Sequence, residues 1–205
     1  MIPTGFSDTE LIKSVLAGNQ ADFKPLMERY QQKVFSYLYR FLYENRDAAE
    51  EVTQSVFVKV YKNLGSVALH RPLQPWIFRI AHNEAANHLR TISRKKESKL
   101  KDEQWDNIAS ADENQNMKQE EQTILIQKAL DKLKTKYREV IVLHYFEEKS
   151  YQEIAKILNT STNSVGTLLR RGRMKLQNIL KQYGITAMMV FTCLFRQSAK
   201  LWIKT

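Results

Sequence analysis

The chain has 205 residues, 43% of them apolar, with six glycines, four prolines and long stretches of good helix formers; this excludes wholesale disorder and points to an all-α protein. Its formal charge of +10 favours a polyanionic partner, nucleic acid first and an acidic membrane second. A single cysteine, Cys193, excludes a disulfide framework and a cysteine-rich zinc site and fits a reducing, cytoplasmic setting.

Ser7 and Glu10 have the spacing of a capping box ahead of a short first helix that Gly18 closes. Asp22 is expected to cap a second helix running to about Tyr43, with Pro25 tolerated in its first turn. Asp47 starts a third helix ending at Gly65. Residues 66–74 form a loop, and Pro75 takes the first position of a fourth helix that runs to near Arg94. Then the charge changes sign. Residues 86–101 hold six Lys or Arg and one Glu, whereas residues 102–122 hold seven Asp or Glu and one Lys. An acidic, polar stretch between basic segments reads as a flexible linker, so the chain divides into two small helical domains. The expected bounds are a tail at 1–6, a first domain at 7–97, a linker at 98–122, a second domain at 123–183 and an apolar tail at 184–205.

In the second domain TILIQKALDKL and YREVIVLHYF read as two helices. Ser150 and Glu153 make another capping box for a third, and a turn at 159–161 leads into a last long helix that Gly184 closes. At 100° per residue, Val165, Leu168, Leu169, Gly172, Leu176, Ile179 and Leu180 fall within about 60° of one line. Asn163, Thr167 and Arg170 gather opposite, flanked by Ser164, Gly166 and Arg171. A short helix, a three-residue turn and a helix with a polar outer face match a helix-turn-helix, whose second helix enters the DNA major groove. There Asn pairs bidentately with adenine and Arg with guanine, while Arg173 and Lys175 suit phosphates. Taken alone, one such helix also fits the solvated face of an ordinary amphipathic helix; the turn, capping box and spacing together favour DNA.

The fourth helix divides in the same way. Arg79, Asn83, Asn87, Arg90 and Arg94 share an arc of about 80°, with Ile77, Ile80, Ala81, Ala85, Leu89 and Ile92 on the other side. Periodicity fits a solvated face and a nucleic-acid face equally. Trp76 falls on the polar arc, either packed under the preceding loop or free to stack an unpaired base. On the third helix Val52, Val56, Val60 and Leu64 make the buried stripe, while Asp47, Glu50, Glu51 and Gln54 line an acidic side suited to a basic protein partner or to the helix dipole. The four histidines have no metal-ligand spacing, and no phosphate loop or nucleophile motif occurs, so neither an enzyme nor a cofactor is expected. The opening MIPTGFSDTELIK lacks the regions of a signal peptide, and the apolar run at 185–195 is too short to span a bilayer.

The two halves together resemble bacterial RNA polymerase sigma factors of the extracytoplasmic-function (ECF) group. DAAEEVTQSVFVKVYKNL is similar to the segment that grips the polymerase clamp helices, PWIFRIAHNEAANHLR to the minus-10 helix, and residues 130–176 to the minus-35-binding domain. The resemblance covers residues 7–182 and implies a protein that binds core polymerase, recognises promoter DNA as duplex and single strand, and promotes opening, with a stress or envelope regulon. It implies that Asp47, Glu50, Glu51 and Gln54 contact polymerase, that Asn83, Asn87 and Arg90 meet the minus-10 element, and that the 66–74 loop captures an unpaired base. The acidic linker would thread near the polymerase active-site and RNA-exit channels. Family members are commonly held inactive by an anti-sigma factor, which would place such a chain near a membrane where that factor is membrane-anchored. The chain departs from the family pattern at Lys134, where proline is usual, and at Gly166 and Leu168, where basic residues are frequent. A stand-alone helix-turn-helix regulator with a sensor first half, or a helical adaptor, are the competing readings. A sensor has no need of a basic Asn/Arg helix after an acidic-faced one, and an adaptor leaves the basic faces unexplained. The apolar tail suits an extra helix covering a domain, a regulator-binding surface or shallow membrane association.

Overall fold

The computed structural model describes residues 5–43, 45–99 and 117–183, with side chains described over 5–43, 45–94 and 124–183. The expected linker interior and the 184–205 tail, with Gly184, lie outside the described residues. Eight α-helices and no strand are found among the described residues, as an all-α reading requires. They are α1 (Asp8–Leu16), α2 (Phe23–Phe41), α3 (Arg46–Lys62), α4 (Leu73–Lys99), α5 (Met117–Asp131), α6 (Thr135–Ile141), α7 (Tyr151–Ile157) and α8 (Thr162–Gln182).

In the first domain α2, α3 and α4 pack on one another and α1 lies across α2. The interior is built from one stripe of each helix. Leu26, Val34, Leu38 and Phe41 of α2, Val52, Val56 and Val60 of α3, and Ile77, Phe78, Ala81 and Ala85 of α4 are all buried. Each large aliphatic side chain among them contributes about 1.5–3 kcal/mol by leaving water. The capping box at Ser7 forms, with Glu10 N–H donating to Ser7 Oγ and the Glu10 carboxylate accepting from Ser7 N–H. Gly18 follows α1 at φ 109°, the left-handed conformation that glycine adopts without steric cost.

Several expected boundaries move, for local reasons. Asp22 does not cap α2 with its side chain; it closes a 3-10 turn, and its carboxylate accepts from Ser14 Oγ (2.5 Å) and Asn19 Nδ2 (2.9 Å). α2 ends at Phe41, two residues early, because Tyr43 takes φ 61°. α3 is capped by Asn45, whose Oδ1 accepts from Ala48 N–H at 2.9 Å, so Asp47 sits inside the first turn. α3 stops at Lys62 and Leu64 to Ser66 form a separate 3-10 turn. α4 begins at Leu73, two residues before Pro75, and runs on to Lys99; Ile92, expected on its apolar side, is 46% exposed. α5 starts at Met117, so helix reaches into the expected linker from both ends.

In the second domain α8 packs on α5, α6 and α7. Its expected inner line is buried or half-buried throughout, from Val165 to Leu180. The second capping box forms between Ser150 and Glu153. α6 does not continue regularly to Phe146: Val142–Phe146 is a π-turn, and Glu147 and Lys149 donate backbone N–H to Val142 and Leu143 carbonyls. Such wide turns are rare, and each redirects the chain that leaves it. Here the turn carries residues 146–149 against the first domain.

The two helical glycines of α8 have opposite surroundings. A Cβ at Gly172 would meet Ile141 Cδ1 at 3.1 Å and Tyr137 Cβ at 3.5 Å, while one at Gly166 would make ordinary contact with the Tyr151 ring at 3.6 Å. Gly166→Ala should therefore stabilise the domain by about 1 kcal/mol through helix propensity. Gly172→Val should destabilise it by about 1–3 kcal/mol through overpacking against Ile141. Thermal unfolding of the two variants checks this: opposite shifts of Tm are expected, and shifts of the same sign would contradict the packing described.

Candidate nucleic-acid interface

α7 and α8 form the helix-turn-helix. Between them Asn159 takes φ 51°, Thr160 N–H donates to Ala155 O (2.9 Å), and Ser161 caps α8 by accepting from Ser164 N–H at 3.1 Å. This fixes the angle at which the second helix leaves the turn. Asn163, Thr167, Arg170 and Arg171 are exposed on its outer face, and no ion pair within the described residues engages either arginine. Ser164 is also exposed, but its hydroxyl is 2.8 Å from Ser161 Oγ and so belongs partly to the cap. Arg173 is half-buried at the edge of this face. Lys175 leans back toward the domain, its ammonium 5.8 Å from the centre of the Tyr137 ring.

On α4 the five expected residues, Arg79, Asn83, Asn87, Arg90 and Arg94, are all exposed, and Arg90 Nη1 donates to Asn87 Oδ1 at 3.3 Å. A cleft of about 500 Å³ opens beside them, lined by Asn83, Asn87 and Arg90 and by Trp76, Lys59, Asn63 and Ser66. Arg79 and Arg94 lie outside it. Trp76 is half-buried against the core while still lining this cleft, so packing and an accessible ring edge coexist. Glu84 anchors the floor: its carboxylate accepts from Ser55 Oγ (2.7 Å) and Lys59 Nζ (2.5 Å), which ties α3 to α4 and neutralises the acid. Ser66 opens the 66–74 loop expected to take an unpaired base, whereas Lys59 and Asn63 carry no mark in the sequence as residues of this cleft. The signal available was their spacing, since Ser55, Lys59 and Asn63 succeed one another at four-residue steps along one side of α3.

A different side of α3 carries the acidic set. Asp47, Glu50, Glu51 and Gln54 are exposed on one stripe, and Arg46 Nε donates to Glu50 at 2.9 Å. The same stripe continues into Val58 (53% exposed) and Tyr61 (39% exposed), which periodicity alone does not single out. Tyr61 stands edge-on to Phe23 at 5.0 Å, and Phe23, Met27, Gln54, Phe57, Val58 and Tyr61 line a mainly apolar groove between α2 and α3. One helix thus presents acid in its first half and exposed apolar surface in its second.

One domain therefore unites an acidic and apolar helix face with a basic, cleft-bordered one, and the other carries a helix-turn-helix. Family models agree with each half: Sigma-70 region 2 matches residues 26–95 and Sigma-70, region 4 matches residues 123–176. The ECF RNA polymerase sigma factor SigW of Bacillus subtilis is 31% identical over 185 residues, covering 83% of this chain and 95% of that protein. The chain belongs to the ECF sigma factors. The ECF RNA polymerase sigma-E factor of Escherichia coli is 28% identical over 180 residues, covering 84% of this chain and 93% of that protein. Among solved structures, the sigma factor RpoE bound to the anti-sigma factor NepR from Bartonella quintana superposes with a TM-score of 0.63 at 23% identity, over 78% of this chain and 97% of that one. CnrH in complex with the cytosolic domain of CnrY gives 0.61 at 25% identity, over 85% and 97%. The protein is a promoter-recognising transcription initiation factor that binds core RNA polymerase. No helix among the described residues is long and apolar enough to cross a membrane.

Proposed function

We propose a division of labour among three faces, within domains spanning 7–97 and 123–183. The outer face of α8 reads the minus-35 element in the major groove, with Asn163, Thr167 and Arg170 toward base edges, and Ser164, Arg171, Arg173 and Lys175 toward the backbone. The α4 face, with Arg79, Asn83, Asn87, Arg90 and Arg94, holds the minus-10 element as it opens. The Trp76-edged cleft takes an extruded base of the non-template strand. Unstacking costs a few kcal/mol, which stacking and backbone contacts to the exposed strand offset. The acidic and apolar stripe of α3 docks on the polymerase.

The observation that carries this reading is the pairing, on one domain, of the exposed Asn/Arg face with a polar cleft of about 500 Å³. The nucleotidyl transfer chemistry belongs to the polymerase; the chain itself is no enzyme and needs no cofactor or small-molecule substrate. It works in the cytoplasm on a stress or envelope regulon. An anti-sigma factor is a further partner by likeness to RpoE and CnrH, whose structures are complexes with NepR and CnrY. The test is run-off transcription with purified core polymerase on a promoter library. Transcripts that depend on this protein are expected, and Asn87→Ala with Arg90→Ala should abolish them on duplex promoters while sparing templates with a pre-opened minus-10 bubble far more. Equal loss on both templates would refute the opening role.

A further inference from the structure

Ser66 and Trp76, both lining the α4 cleft, bracket the connection that runs from the 3-10 turn Leu64–Ser66 into α4. That connection is built on a tight turn. Arg71 N–H donates to Ala68 O at 2.9 Å, which puts Leu69 and His70 at the two central positions. Leu69 is half-buried against the core, whereas Ala68, His70 and Arg71 are exposed. The Leu69 carbonyl accepts from Thr9 Oγ1 of α1 at 3.4 Å, across 60 residues of sequence. Among the described residues this is the one hydrogen bond that joins the turn to another element.

α1 is a fixed mount for that contact. Its first turn is locked by the Ser7–Glu10 capping box and by Asp8, whose carboxylate accepts from Arg29 Nη1 (2.5 Å) and from Tyr30 Oη–H of α2. Arg29 Nη2 also donates to Phe6 O at 2.9 Å, and Leu11, Ile12 and Val15 are buried beneath the helix. Thr9 is the second residue of α1. No helical carbonyl lies behind it for its hydroxyl to bond, so the hydroxyl is free to reach outward. At the other end of α1, Leu16 Cδ2 lies 3.8 Å from where a side chain on Gly65 would begin, and the helix packs on the Leu64–Ser66 turn. α1 therefore runs beside the connection from its root at Gly65 to its turn at Leu69.

We propose that Thr9 is a positioning residue for promoter opening: mounted on α1, it holds the 68–71 turn in place, so that the rim of the cleft is formed before an extruded base arrives. That role rests on the cleft's being the seat proposed above for such a base. Thr9 itself stays clear of the DNA and acts through Leu69. Exposed loops are mobile unless held, and a loop ordered in advance has less freedom to lose on binding. Apparent affinity for the base then scales with the fraction of molecules whose rim is already formed. A single neutral hydroxyl-to-carbonyl bond makes a modest contribution, so its loss should weaken base capture by about three- to tenfold.

The experiment uses holoenzyme assembled from core polymerase and the full chain. Its probes are a fluorescent single strand carrying the non-template minus-10 element and a series of copies with one abasic position each. With the parent protein, one abasic position should weaken binding most and so mark the captured base. Thr9→Val keeps the shape of the side chain and removes the hydroxyl. It should weaken binding of the intact strand by about three- to tenfold and leave binding of the copy abasic at the marked position unchanged. Thr9→Ser, which restores a hydroxyl, should recover the parent's affinity for the intact strand. Thermal unfolding and affinity for core polymerase should match the parent in both variants, since Asp8, Leu11, Ile12 and Val15 still hold α1. If Thr9→Val weakened the intact and abasic strands by the same factor, or weakened neither, Thr9 would not position the turn, and base capture by the cleft would stand without it. Thr9→Ser binding no better than Thr9→Val would overturn the role of the hydroxyl in the same way. If no abasic position mattered to the parent, the cleft would seat no base, and both readings would fall together.

Discussion

Arg170→Ala should lower affinity for duplex carrying the minus-35 element by about ten- to a hundredfold, the 1–3 kcal/mol of a lost bidentate base contact. The side chain is exposed on the outer face of α8 and engaged by no ion pair among the described residues, so its removal leaves no buried charge behind. The helix has no need of it, since α8 is held by Val165, Leu169, Leu176 and Leu180, all buried. Stability should stay within about 0.5 kcal/mol of the parent, as for other exposed substitutions. Promoters that depend on the upstream element should lose activity, and core-polymerase binding should be unchanged. The control is Lys175→Ala, whose ammonium leans toward Tyr137. It should weaken all sequences by a similar small factor and reduce the salt dependence of binding by about one charge. Fluorescence anisotropy against cognate and scrambled duplexes at two salt concentrations separates these outcomes. Arg170→Ala losing affinity equally for both duplexes would remove it from base reading.

Local spacing decides the features that were legible in the sequence. Ser7 with Glu10 and Ser150 with Glu153 form their capping boxes because both partners lie within one turn. The two sides of α8 come from a 100° step, and every residue placed on its outer face is exposed or at that face's edge. Asp22 fails as a cap because Ser14 and Asn19 claim its carboxylate, a competition that capping preference does not express. Asn45 displaces Asp47 at the start of α3 by having its side-chain carbonyl three residues before Ala48 N–H. Ile92 fits the apolar period of α4, yet it lies beyond the turns that pack on the domain and is exposed.

The site was legible on each helix and illegible between helices. The α4 face was visible as periodicity, but its cleft needs Lys59 and Asn63 from α3, and Glu84 joins them only in three dimensions. The contact between the two domains was wholly hidden: Tyr37 and Glu139 are 102 residues apart, and neither has a neighbour in sequence that marks it. The π-turn that brings Glu147 and Lys149 to α2 and α4 interrupts a stretch that periodicity reads as continuous helix.

The α3 stripe proposed to dock on polymerase yields the other large effect, because it combines two kinds of contact that kinetics can separate. Glu51 is exposed and makes no ion pair among the described residues, so its charge is available to a basic partner at long range. Val58 is 53% exposed beside Tyr61 and the groove over Phe23 and Met27, a surface costly to leave in water and suited to the centre of an interface. Glu51→Lys should slow association with core polymerase by about tenfold at low salt and much less at high salt, with dissociation barely altered. Val58→Asp should instead speed dissociation, weakening binding by about thirtyfold or more, the 2 kcal/mol or greater of a central anchor, with little dependence on salt. Neither should unfold the domain, as both side chains point to solvent and the buried stripe of Val52, Val56 and Val60 is untouched. Surface-bound core polymerase and stopped-flow mixing at two ionic strengths give both rate constants. If Val58→Asp changed association alone, or left dissociation as in the parent, the apolar half of α3 would not lie in the interface, and the acidic half alone would remain as the docking face.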